Sequence, residues 1–140
     1  MVSLIWEFFI TMNKLVIDRA KWNVGNPNSS YLLDRGGMTL CCLGFLGLEC
    51  GVSRDNMLGW GLPSNVNHDK WPKKLFETAT FVETTSVFGD HSLWENVFVE
   101  INDSTTIDND ARELWIKEGF RQILNYDVEF VGEYLESKCL

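Results

Sequence analysis

Three of the chain's four cysteines, Cys41, Cys42 and Cys50, fall in the apolar run from Met38 to Cys50, between Gly36-Gly37 and Gly51. A thiol at the start of a helix is a chemically sensible nucleophile, because the helix N-terminus favours the thiolate, and Cys42 is the best placed candidate, with Cys41 next. Such a nucleophile needs a base. His68, beside Asn67 and Asp69, and His91, beside Asp90, are the two imidazoles of the chain. Cys42 with His68 or His91 therefore writes a cysteine-dependent hydrolase or transferase. The opposing reading is that a run this apolar packs into the core, where cysteine behaves as a small hydrophobe. The cysteines form no C-x-x-C pair and no secretory framework, so reduced thiols are expected, and adjacent Cys41 and Cys42 are a poor start for a zinc site.

Carboxylates are the second chemical resource. Asp103, Asp108, Asp110 and Glu113 could supply an acid and base pair for hydrolysis, but their spacing singles out no two of them. The run from Asp103 to Asp110 lacks the turn glycine and terminal glutamate of a calcium loop, and reads as a solvated, cap-rich connection. Gly44, Gly47 and Gly51 fit neither a phosphate-cradling loop nor a dinucleotide fingerprint. No cofactor, no metal and no catalytic residue is expected from these patterns.

Charge is unevenly spread. The formal net charge is -8, yet residues 1–75 carry six acidic and eight basic residues, a net of +2, whereas residues 76–140 carry fourteen acidic and four basic ones, a net of -10. A field of that sign repels phosphate backbones and steers a basic protein surface inwards, so direct nucleic-acid binding is not expected. Lys70, Lys73 and Lys74 around Trp71 are the one small basic and aromatic cluster, and read as an ordinary surface loop. No stretch approaches the length of a membrane span, and the apolar start Met1 to Met12 lacks a basic leader and a cleavage site. No membrane contact and a cytoplasmic setting are the expectations.

The elements that must position these groups follow from periodicity. Residues 14–18 read as a strand ending near Trp22, residues 23–30 as a loop, and Tyr31-Leu32-Leu33 as a short extended segment. A central helix is predicted from Thr39, as its cap, to Cys50, with Gly51 as its left-handed stop and Gly44 and Gly47 on a side that approaches another element closely. Ser53 to Met57 gives one further turn, and a long loop bearing Trp60 and Trp71 follows, these two either covering the core or forming a recognition surface. Residues 71–76 turn into a short helix, and residues 79–87 are read as extended with Phe81 and Val87 inward. A helix over 91–101 carries Leu93, Trp94, Val97 and Ile101 on one stripe.

The strongest helix signal spans 110–124. Asp110 with Glu113 reads as its capping box, and Ile116, Phe120, Ile123 and Leu124 form its buried stripe, supported by Ala111 and Trp115. Residues 126–130 alternate apolar and acidic, as a half-buried strand does, with a terminal helix or tail over 133–140. The 140 residues suit one α+β domain of two or three helices packed on a small, mainly antiparallel sheet.

The combination of Leu15-Val-Ile-Asp18-Arg-Ala-Lys-Trp22, Leu40-Cys-Cys-Leu-Gly-Phe45, Cys50-Gly51-Val, Ile101-Asn-Asp103 and Ala111-Arg-Glu113 resembles a group of small, uncharacterised bacteriophage and prophage proteins. The resemblance implies a phage origin and supplies no catalytic residues. Together with the charge it leads to an acidic interaction protein that binds and inhibits or modulates a host protein with a basic surface, such as a defence or nucleic-acid-processing factor. The contact residues expected are Glu100, Asp103, Asp108, Asp110, Glu113, Asp127 and Glu129, with Trp60 and Trp71. The cysteine enzyme is one alternative. A virion or assembly component, a homo-dimer or larger, is the other.

Overall fold

A computed structural model describes residues 12–28, 30–66, 69–80 and 92–135. The expectations for residues 1–11, for Phe81 and Val87, and for the end of the chain from residue 136 lie outside the described residues.

Strand β1, Asn13–Asp18, buries Leu15 and Ile17 and exposes Lys14 and Val16, the alternation of a strand with one wet face. Its partner is β2, Tyr126–Val131, with Leu15 opposite Val128 and Ile17 opposite Phe130. The two form a two-stranded parallel sheet, which corrects the antiparallel expectation. Alternating acidic and apolar residues in β2 report which face is wet and say nothing of strand direction. Direction is set by the path between the strands, and residues 19–125, carrying every helix described, form the long crossover that a parallel pair requires.

Among the described residues four α-helices lie in that crossover, where two or three were expected: α1 Cys42–Glu49, α2 Arg54–Met57, α3 Trp94–Asp103 and α4 Asn109–Gly119, the last continued by a π-helical turn over Phe120–Leu124. Short 3-10 turns cover Arg19–Lys21, Pro63–Asn65 and Lys73–Phe76. Central helix α1 starts three residues later than its predicted cap, because Leu40 pairs instead with Trp22 and Leu33 in short bridges. Residues Cys42 to Gly47 are all buried, so the helix shows no polar stripe, as befits an element surrounded by others. A Cβ built at Gly44 would fall on the Leu32 carbonyl, and one at Gly47 would come within 2.6 Å of Met57 Sδ and the Trp71 ring. Gly51, at φ +89°, ends α1 in a left-handed turn in which Val52 N–H donates to Gly47 O (2.8 Å) and Gly51 N–H to Leu48 O (3.1 Å).

The start of α1 and the end of α3 are held instead by side chains of other helices. The Cys41 side chain makes no cap at α1; the fully buried Asn102 of α3 accepts from Cys42 N–H (2.9 Å) and Trp22 Nε1 (2.7 Å), while its amide donates to Asn23 O (2.8 Å). The last carbonyls of α3 are collected by Arg112 of α4, whose Nη1 donates to Ile101 O (2.7 Å), Asn102 O (3.0 Å) and Ser104 O (3.0 Å). A cation at a helix C-terminus complements both the orphan carbonyls and the dipole. Helix α4 is capped by Asp108, which accepts from Ala111 N–H (2.8 Å), so the cap lies two residues before the predicted Asp110. Its stripe of Ile116, Phe120 and Leu124 is buried as read, and Phe98 meets Phe120 edge-on at 4.8 Å, but Trp115 points outwards.

Candidate interaction surface

The nine expected contact residues do not share one fate, because the fold itself uses several of them. Asp108 is the α4 cap. Glu113 receives both prongs of the Arg19 guanidinium (2.7 and 2.9 Å) and the Tyr134 hydroxyl (2.6 Å). The Arg19 hydrogen bond, with that of Tyr134, holds the Glu113 carboxyl below the usual range against the opposing effect of burial. Arg19 also donates to Gly132 O (3.0 Å), so this cluster ties α4 to the stretch after β2. Asp103 is largely buried and accepts from the Asn102 amide (3.1 Å); burial raises its pKa despite hydrogen bonds from Ser30 and Asn102. Asp127 lies 4.0 Å from Lys117, which itself donates to Val128 O (2.9 Å).

Glu100, Asp110 and Glu129 remain as exposed carboxylates, on α3, α4 and β2, with no ion pair or hydrogen bond among the described residues. Trp71 is buried in the core, at 3% exposure against Gly47, and among the described residues its Nε1 has no hydrogen-bond partner. Trp60 is 50% exposed and Leu58 is 42% exposed, in a stretch that turns at Gly59, whose φ is +76°, with Trp60 N–H donating to Met57 O (3.1 Å). Leu32 N–H donating to Trp60 O (2.7 Å) and Gly59 N–H to Leu33 O (2.8 Å) fix that stretch. Met38, 71% exposed, sits on the adjoining turn, whose Gly37 carbonyl accepts from Arg54 Nη2 (2.8 Å). Sequence reasoning missed Leu58 and Met38, and an apolar residue beside each turn glycine, Gly37 and Gly59, was the signal available.

The thiols are placed for packing. Cys42 is the first residue of α1, as its candidacy required, but it is fully buried with Sγ 3.7 Å from Phe98 O. Burial pushes its pKa well above the ordinary thiol value and that of Cys41 up to about 12, the reverse of an activated nucleophile. His68, His91, Asn67, Asp90 and Cys139 lie outside the described residues. Cys50 is half-buried, 3.4 Å from the Tyr126 hydroxyl. Alkylation of the native protein with iodoacetamide, read site by site by mass spectrometry, is therefore expected to leave Cys41 and Cys42 unmodified until denaturant unfolds the chain. Rapid labelling of native Cys42 would contradict this burial.

Among the described residues no group of three or more His, Cys, Asp or Glu side chains is placed to hold a metal ion, and no helix is long and apolar enough to cross a membrane. No protein-family model, no curated protein and no solved structure matches the chain.

Proposed function

We propose that this chain is an acidic interaction protein that docks on a basic surface of another protein and thereby inhibits or modulates it. The observation that carries this reading is the set of uncommitted carboxylates Glu100, Asp110 and Glu129, within a half of the chain whose net charge is -10. Carboxylates already engaged in caps and buried pairs have little left for a partner; these three have no such engagement among the described residues. Such a field attracts a basic surface over about a Debye length, roughly 8 Å at physiological salt, and accelerates encounter. A groove that binds phosphate backbones is the natural target, since carboxylates compete for the same lysines and arginines. The resemblance to phage proteins points to a host protein as the partner, of a defence or nucleic-acid-processing kind.

The test is a combined reversal, Glu100→Lys with Asp110→Lys and Glu129→Lys. With a partner captured on the tagged protein and then purified, binding is expected to weaken at least tenfold on reversal and to fall steeply as salt rises. Binding indifferent to both changes would refute the reading.

A further inference from the structure

We infer that the outward face of α4 is the apolar anchor of the docking proposed above, seated in a groove of a partner protein whose rim carries lysine or arginine; the inference rests on that reading of the acidic surface. Helical geometry places the residues. Arg112, Ile116 and Phe120, spaced four apart, form the buried row. The face turned away from them carries Ala111, Leu114, Trp115 and Glu118, neighbours at spacings of three and four. Leu114 is 57% exposed and Trp115 46%, so two large apolar side chains stand together where a helix facing only water carries polar ones. Contacts on the other sides of α4 fix its rotation: Arg112 holds the last carbonyls of α3, Glu113 is gripped by Arg19, and Lys117 donates to Val128 O. A helix held in this way presents its anchor with little ordering cost. An amphipathic helix laid into an apolar groove is a recurring mode of recognition, and tryptophan is foremost among the residue types that dominate such contacts.

Charge names the occupant. The cations on the exposed side of the helix and its π-helical turn are engaged within the chain: Arg121 pairs with Glu118 (2.7 Å), and Lys117 lies beside Asp127 (4.0 Å) while bonded to Val128 O. Asp110, exposed one turn before Leu114, has no ion pair or hydrogen bond among the described residues, and the exposed Asp108 beside it caps the helix. The uncompensated charge next to the anchor is therefore negative, and cations of a partner complement it. A second copy would bring the same acids, on a chain of net charge -8, against this face. A lipid surface favours a helix with a basic polar face, and here the free charge is acidic. A protein groove that is apolar at its floor and basic at the rim satisfies both the indole and the carboxylates.

Binding kinetics test this, with the protein captured on the tagged chain and purified as for the charge reversal serving as the probe. Trp115→Ala and Leu114→Ala are each expected to raise the dissociation rate at least tenfold and to change the association rate less than twofold, because an anchor acts after encounter. The reversal at Glu100, Asp110 and Glu129 is expected chiefly to slow association and to flatten its dependence on salt. Since both anchor side chains are exposed, urea midpoints of the alanine variants should stay at the wild-type value, which excludes loss of fold as the cause. An unchanged dissociation rate in Trp115→Ala, beside slowed association in the reversal, would overturn the anchor and leave the acidic reading standing. Binding indifferent to reversal and salt would overturn the acidic reading and the inference with it, as would a tagged chain that captures no protein. Self-association of the chain abolished by Trp115→Ala would assign the face to a second copy and overturn the proposal.

Discussion

Replacing Gly44 by alanine is expected to destabilise the protein by about 3 kcal/mol, against the sign that helix propensity alone dictates. In an exposed helix interior the change would gain about 1 kcal/mol, because glycine loses more backbone freedom on folding. Here the new methyl would fall on the Leu32 carbonyl, with Leu40 Cβ 3.0 Å away. The obstacle is backbone that cannot swing aside: Leu32 N–H is bonded to Trp60 O (2.7 Å), and Leu33 bridges both Leu40 and Leu58. Gly47→Ala is the internal control. Its methyl would press on Met57 Sδ and the far edge of the Trp71 ring, side-chain atoms with some freedom to move, so a smaller loss of about 1–2 kcal/mol is expected. Urea unfolding midpoints at unchanged slope give both numbers. A neutral Gly44→Ala would show that α1 can shift away from residues 31–33, and the close-packing argument would fail.

Arg112→Ala is the second large effect, at about 4 kcal/mol. The buried guanidinium donates to Ile101 O, Asn102 O and Ser104 O through Nη1, to Ile107 O through Nη2 (3.2 Å) and to Asn109 Oδ1 through Nε (3.3 Å). Truncation removes the donors to four carbonyls around the end of α3. It also loosens Asn102, which caps α1 and holds Trp22, so the damage is expected to reach three elements. Arg112→Lys keeps the charge near the α3 C-terminus but offers a point charge in place of a planar fork, and should recover only about half of the loss. Thermal and denaturant unfolding of the two variants decide the matter. A lysine variant as stable as wild type would mean that the charge alone matters; an alanine variant within about 0.5 kcal/mol of wild type would mean that water replaces the guanidinium.

Features governed by near neighbours were legible in the sequence. Gly51 as the stop of α1 needed only the helix before it and the left-handed preference of glycine. The alternation around Leu15 and Ile17, the Ile116, Phe120 and Leu124 stripe, and the tight approach at Gly44 and Gly47 were likewise readable, because period and side-chain size are local properties. Capping was misread at both ends of the argument. Asp108 and Asp110 are equally good caps by type, and the core contacts of Ile116 and Phe120 fix where the helix begins relative to them. Glu113, read as half of a capping box, is drawn to Arg19 by a contact across 94 positions of sequence.

The amino-acid sequence by itself determined that helices and strands are mixed, that the cysteine-bearing run is buried and that negative charge falls in the second half of the chain, all consequences of composition and short-range pattern. Tertiary structure alone decided that the sheet is parallel, since direction depends on the path of residues 19–125 and not on alternation within a strand. It also decided that Trp71 fills the core while Trp60 meets solvent, and which carboxylates are spent on the fold and which stay exposed and unengaged among the described residues. The physical reason is common to these outcomes. A side chain's environment is set by groups distant in sequence, and Asn102 reaching across 60 positions to cap α1 is the plainest instance.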